Sequence, residues 1–274
     1  MLARIAHTTD FSAQSMAAFR HALRLSLANR CRLDLLHVKE EGADDAWDSF
    51  PHVREVLAEW GLMDARGSPA DIESKLGVRV AKIEIKDRDV VDGISQFFLT
   101  HRPDLLVVAT HGRQGVNRWL NGSVSEDVAR RTHVPTLLIG PDGHGFIDAR
   151  SGDMSLRRIL VPVTPMPSPA RALERLASLL SAAEVTPECF ELMHVVERAG
   201  PADDVGAPAN VDYFEGPVVE TILRVAEERN VDLIAMPTAR HHGLTDAFRG
   251  STTSRVIAQS RCPVLMLPLV AAGP

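Results

Sequence analysis

Cysteine is scarce in this chain, basic residues are not in excess, and no apolar run is long enough to cross a bilayer. The three cysteines, Cys31, Cys189 and Cys262, are far apart and odd in number. No CxxC pair marks a zinc or redox motif. Their apolar neighbours (Leu33 and Leu35 after the first, Val264 and Leu265 after the last) imply buried, reduced thiols, which fits a cytoplasmic protein. A formal charge of −6 argues against a general partner among nucleic acids or anionic membranes. It says little about one small phosphate ligand, which needs only local donors. The segment Met1-Leu2-Ala3-Arg4-Ile5 runs straight into a strand-like stretch, without the apolar run and cleavage site of a signal peptide. Membrane insertion is not expected.

What is present is an ordinary globular composition, 45% hydrophobic and 24% charged over 274 residues, with room for two domains. The chain also repeats itself. Asp104-Leu105-Leu106 returns as Asp232-Leu233-Ile234, Gly115 as Gly243, Gly122-Ser123 as Gly250-Ser251 and Pro135 as Pro263, each at an offset of 128 (250 − 122). Early landmarks use a larger step: Arg4-Ile5 matches Arg158-Ile159 at 154, and Leu36-His37-Val38 matches Met193-His194-Val195 at 157. The second copy is therefore shorter by 29 residues (157 − 128), all lost between positions equivalent to 38 and 90. In the first copy Phe50 to Leu62 carries Val53, Val56, Leu57 and Trp60 at helical spacing. The second copy is expected to lack this helix. Gly and Pro dominate Gly140-Pro141-Asp142-Gly143-His144-Gly145, so residues 142–155 read as a linker between units at 1–141 and 156–270.

Within copy one, short apolar runs alternate with helical patterns. Strands are expected at Arg4 to Thr8, Arg32 to Val38, Val78 to Ile85, Leu105 to Ala109 and Thr136 to Ile139. Helices are expected at Ser12 to Asn29, Val90 to Leu99 and Ser123 to Thr132. The fold class is α/β: two tandem, open-twisted, five-stranded parallel sheets flanked by helices. Ligands on such sheets sit beyond the carboxyl ends of the strands, where strand order reverses. Asp10, Val38 and the loop after Ala109 then share one neighbourhood.

That loop, Thr110-His111-Gly112-Arg113-Gln114-Gly115, follows a strand, and Gly122-Ser123 opens a helix. Glycines let main chain approach a phosphate, and a helix start offers unpaired amides with a favourable dipole. Ser123 and Ser125 add hydroxyls, with Val124 between them. Neither a GxxxxGK loop nor a GxGxxG fingerprint is present. Taken alone, the segment favours plain helix capping.

The chain resembles the universal stress proteins of the tandem type, over nearly all of both copies. In that family Gly-x2-Gly-x9-Gly-Ser/Thr holds ATP phosphates, while an early aspartate and a main-chain valine site hold the adenosine. This chain has Ala109-x2-Gly112-x9-Gly122-Ser123, Asp10 within Thr9-Asp10-Phe11-Ser12, and Val38 within Leu36-His37-Val38. Ala109 replaces the first motif glycine and Thr8 replaces a frequent proline; a methyl at 109 is tolerated where φ is negative. The resemblance implies an adenine nucleotide in copy one (ATP, or ADP or AMP, with or without Mg2+). The binding set is Thr8, Asp10, Val38, Ala109, His111, Gly112, Arg113, Gly115, Gly122, Ser123, Val124 and Ser125. It also implies an adenine nucleotide α-hydrolase-like fold whose last strands pair the two copies, with a homodimer open.

Copy two reads Pro237-x2-Arg240-x9-Gly250-Ser251, with Thr164 in place of Asp10. Proline removes an amide donor and arginine adds bulk, so this copy is expected to be structural or to take another ligand. Asp10 is open to a second role, as cap of the following helix. His37 and His194 occupy the same strand position in both copies, which favours a structural role. His241-His242 read as a solvated loop, with a metal site as the lesser alternative, Arg113 as either phosphate partner or surface charge, and Trp119 as packing or subunit contact. No general base besides His111 and no acidic cluster beyond Asp10 suggests more than slow hydrolysis. A nucleotide-independent interaction protein is the alternative; an enzyme of the α-hydrolase type has less support.

Overall fold

The computed structural model describes all residues except 41, 43, 45–46, 65, 111–122, 141–144, 165–168, 197–209, 240–251 and 270–274. Five strands build the first half: β1 (Arg4–Thr8), β2 (Arg32–Lys39), β3 (Arg79–Lys86), β4 (Leu105–Ala109) and β5 (Thr136–Ile139). Between them lie α1 (Ala13–Asn29), α2 (Val53–Glu59), the short turn α3 (Pro69–Asp71), α4 (Val90–Thr100) and α5 (Ser123–Thr132). The second half has β6 (Ile159–Pro162), α6 (Ala170–Leu179), β7 (Phe190–Val196), β8 (Val211–Glu215), α7 (Val218–Glu228), β9 (Leu233–Ala239), α8 (Thr252–Gln259) and β10 (Val264–Leu269). Residues 197–210 stand where the first half has α2 and α3. The expected loss of that helix falls on 197–209, outside the described residues.

The strands form one sheet in the order β3-β2-β1-β4-β5-β10-β9-β6-β7-β8. Pairing is parallel within each half, and the halves meet where β5 and β10 run antiparallel. The register there is Val264 on Leu138, Leu265 on Leu137 and Met266 on Thr136. Under the 128-residue offset this pattern maps onto itself about Leu137 and Leu265, so a local twofold axis passes through that pair.

Alternation along the strands splits the core between the two faces of the sheet. Ile5, Leu33, Leu35 and Val107 face α1, α2 and α6. Ala6, Leu36, Val38, Leu106 and Val108 face α4, α5, α7 and α8. Sequence drives this directly, since buried runs such as Leu105-Leu106-Val107-Val108 supply apolar residues to both faces, as parallel sheets need.

Two aspartates fasten equivalent strand starts. Asp104 Oδ2 accepts the main-chain N–H groups of Ala3 (2.7 Å) and Arg4 (3.0 Å). Asp232 Oδ2 does the same for Arg157 (2.7 Å) and Arg158 (2.8 Å). The stretch read as a linker is not a bare tether after residue 144. Phe146 and Ile147 are buried, Ile147 bridges to Met154, and Arg24 Nε donates to the Gly152 carbonyl at 2.7 Å. Its two apolar side chains give it a face to bury, which its glycine and proline content obscures.

Candidate functional site

Strand order reverses at β1, with β2 on one side and β4 on the other. The chain leaves β1 into α1 on one face and reaches β4 from α4 on the other, which opens a crevice at the carboxyl edge. A cleft enclosing about 540 Å³, its open mouth included, lies there. Its polar rim comes from Thr8, Thr9, Asp10 and Ser15. Leu36 and Val38 of β2 and Leu106, Val108 and Ala109 of β4 form one wall. Val90 and Ile94 of α4 and Val124, Ser125 and Val128 of α5 close the other.

Six of the residues singled out from sequence therefore meet in one cleft: Thr8, Asp10, Val38, Ala109, Val124 and Ser125. Ser123 is the first residue of α5, whose amino end faces this cleft through Val124 and Ser125. His111, Gly112, Arg113, Gly115 and Gly122 lie outside the described residues, as does Trp119. Ala109 lies in β4 and is not among the described non-glycine residues with positive φ, so its methyl causes no backbone strain. Sequence reading missed Thr9, Ser15, Val90 and Ile94. The signal for the last two was available: they recur at i and i+4 in the helix entering the reversal point, on the face toward β2 and β4.

Asp10 does not cap α1. Ser12 is the cap, its Oγ accepting from the Ser15 N–H at 3.2 Å. Asp10 Oδ1 instead accepts from the Ser12 N–H (3.1 Å) and the Ser12 hydroxyl (2.7 Å). The turn is held by Phe11, whose φ of 65° is uncommon for a side chain of its size. Its N–H donates to Thr9 Oγ1 at 3.0 Å, and its ring packs on His37 at 4.1 Å between centroids.

Below the rim runs a buried polar chain. His7 Nδ1–H donates to the Val107 carbonyl at 2.9 Å, because a carbonyl can only accept. Burial lowers the His7 pKa to about 4, against the opposing pull of that bond and of the Asp10 charge. The ring is neutral at pH 7, and its Nε2 lies 3.3 Å from the Ser15 hydroxyl. Ser15 Oγ donates to Thr9 Oγ1 at 3.0 Å. All three side chains are buried, and His7 does not line the cleft.

Val38 contributes main chain. Thr9 N–H donates to the Leu36 carbonyl at 2.8 Å, so Leu36 points its peptide groups toward β1. The Lys39 carbonyl accepts from Asp87 on the β3 side. Alternation along a parallel strand then sends the Val38 N–H and carbonyl to the β1 side, beyond the point where β1 ends. His37 Nδ1 donates to the Thr9 carbonyl at 2.9 Å, and His194 Nδ1 to the Val163 carbonyl at 2.8 Å. The same bond in both halves accounts for these two histidines as strand-end braces.

In the second half, Pro237 stands within β9 opposite Leu267, and Thr164 is exposed two residues beyond β6. Arg240, His241, His242, Gly250 and Ser251 lie outside the described residues. Among the described residues no group of three or more His, Cys, Asp or Glu could hold a metal, and no helix is long and apolar enough to cross a membrane.

Comparison with known proteins agrees with this architecture. The universal stress protein MJ0531 of Methanocaldococcus jannaschii is 26% identical over 142 residues, half of this chain and 81% of that protein. The crystal structure of a universal stress protein from Archaeoglobus fulgidus superposes with a TM-score of 0.60 at 21% identity, covering 96% of this chain and 97% of its own. Another universal stress protein, solved in complex with cAMP, matches half of this chain at 20% identity and a TM-score of 0.34. The model of the universal stress protein family matches residues 1–140 and again 191–268. With most of its length accounted for by that match, and with the parallel, helix-flanked sheet the match implies, this chain belongs to the universal stress protein family.

Proposed function

We propose that residues 1–141 form a unit that binds ATP or a related adenine nucleotide, and that the protein acts in stress response by holding it. The observation that carries this reading is the meeting of Asp10, the Val38 main-chain edge and the first turn of α5 on one cleft at the reversal of strand order. In this reading Asp10 receives ribose hydroxyls, the Val38 N–H and carbonyl pair with the adenine edge, and Leu36, Val108 and Ile94 flank the ring. The amino end of α5, with Ser123 and Ser125 and the loop His111 to Gly122, receives the phosphates. Mg2+, where it accompanies ATP, is carried in with the phosphates.

Turnover in this reading is slow or absent. The imidazole of His7 is fully buried and does not line the cleft, so in this reading it does not reach a bound phosphate as a general base. Residues 156–270 serve as a structural partner, or take a different ligand, because Pro237 lacks the amide that Ala109 retains. Three free thiols suit a reducing cytoplasm.

The test is to denature the purified full-length protein and look for released adenine nucleotide by absorbance and mass, then to titrate ATP into nucleotide-free protein. Release, or saturable binding tighter than about 100 μM, supports the proposal. No release and no binding up to millimolar ATP leaves the nucleotide-independent interaction protein as the reading.

A further inference from the structure

Among the described residues, a polar contact joins equivalent positions of the two halves across the local twofold axis. Glu126 of α5 accepts the hydroxyl proton of Ser254 of α8, and the two residues are 128 apart, the same offset that relates the two copies. They are therefore the same position in each half, meeting across the axis that also passes through Leu137 and Leu265. Glu126 is only 7% exposed. Burial raises its pKa, with the Ser254 bond and the Arg130 charge pulling the other way.

A position on a twofold axis meets its own equivalent, whatever pairs there. When two first halves from separate chains join through β5, Glu126 faces another Glu126 in a buried setting. When a first half joins a second half, Glu126 faces a serine that donates to it. From this we propose that Glu126 and Ser254 select the pairing of unlike halves and penalise the pairing of two first halves. The partner that fits the β5 and α5 face is thus the second half of this chain, and not the first half of another copy. Two facing carboxylates at close range cannot both ionise without cost, whereas a hydroxyl opposite a carboxylate forms a charge-assisted bond.

One cation approaches the pair from its own helix. Arg130, on the same helix, stands 3.9 Å from Glu126 and also bonds Asp127. Arg131 reaches Asp92 of α4. Arg255 of α8 bonds Glu220 of α7 at 2.8 Å. No cation of α8 among these pairs turns toward Glu126.

The full-length protein tests this directly, because Ser254→Glu rebuilds inside one chain the contact that two first halves would make. Thermal unfolding should fall by about 4 °C or more at pH 8, and the deficit should shrink toward pH 5 as one carboxyl protonates. Ser254→Gln, equal in size and uncharged, should lose less than half as much. The exchanged variant Glu126→Ser/Ser254→Glu should recover the wild-type midpoint to within about 1 °C. Equal losses for Glu and Gln, or no recovery by the exchange, would overturn the proposal. If Ser254→Glu does not fold, soluble, folded protein from the exchanged variant supports the proposal and its absence refutes it.

Discussion

The indole N–H of Trp60 donates to the main-chain carbonyl of Ala149 at 3.1 Å, tying the end of α2 to the segment that joins the halves. Gly152 lies against the same ring. A Cβ built on it would come within 2.5 Å of Trp60 Cδ2, and its φ of 72° disfavours any other residue. The extra helical segment of the first half therefore has a structural task, since Trp60 gives the connecting segment a surface on which to dock.

Gly152→Ala is expected to destabilise the protein by about 1–3 kcal/mol through crowding and backbone strain together. Urea unfolding measures this. An unchanged midpoint would show that residues 145–155 do not rest on Trp60.

Asp10→Asn keeps an oxygen that can brace Ser12 but removes the charge proposed to meet ribose. The ATP dissociation constant should rise about 10- to 100-fold, equivalent to roughly 1.4–2.8 kcal/mol, while the unfolding midpoint stays within about 2 °C of wild type. Calorimetric titration and thermal unfolding on the same samples separate the two effects. Unchanged affinity would remove Asp10 from the site.

Acid should weaken the fold before carboxylates are consumed. His7 and His21 are both buried, which lowers their pKa from the ordinary 6.5 to about 4. Below pH 6.5 the unfolded chain takes up these protons and the native state does not. Their contribution is thus complete above pH 6.5 and is lost as pH falls toward 4, at up to about 1.4 kcal/mol per unit for each group. His21→Phe, which keeps a ring on Phe146, should cut the stability difference between pH 7.5 and pH 5 by about 1–2 kcal/mol. A variant whose profile parallels wild type would show that His21 titrates normally.

Asp104→Ala and Asp232→Ala should have matching effects. Each leaves two strand-start N–H groups without their shared acceptor, a loss of about 1–2 kcal/mol. Their strands β4 and β9 are three inter-strand steps apart, about 14 Å, so the double variant should show simple addition. Denaturant titrations of the three variants decide it, and a deficit confined to one half would break the equivalence.

The amino-acid order carries much of this fold plainly. β1, β4, α5 and β5 begin and end where short apolar runs and the Gly-Ser pair place them, because buried parallel strands announce themselves by unbroken apolar residues. The helix expected at Phe50 to Leu62 is real but shorter, Val53–Glu59, with Trp60 as its cap and Gly61 at φ 68° turning the chain away. Trp60 is buried, whereas Trp47, ahead of this helix, is 46% exposed. Less legible was anything set by contact rather than period. Ser12 caps α1 in place of the aspartate two residues earlier, since the left-handed Phe11 swings Asp10 toward the cleft. The path from Thr9 through Ser15 to His7 joins a strand to a helix one turn in, and no spacing rule points to it.

A free-standing first half would leave β5 as its rim, four residues long and buried throughout in the present arrangement. Such a bare apolar strand is a template for runaway stacking into fibres. Pairing β5 with β10 moves both to the middle of the sheet and leaves β3 and β8 at its margins. Those strands carry Arg79, Lys82, Glu84 and Lys86, and Asp212 and Glu215. Their charges make further chains poor additions, so joining the two halves hides the apolar rims and leaves charged strands outermost.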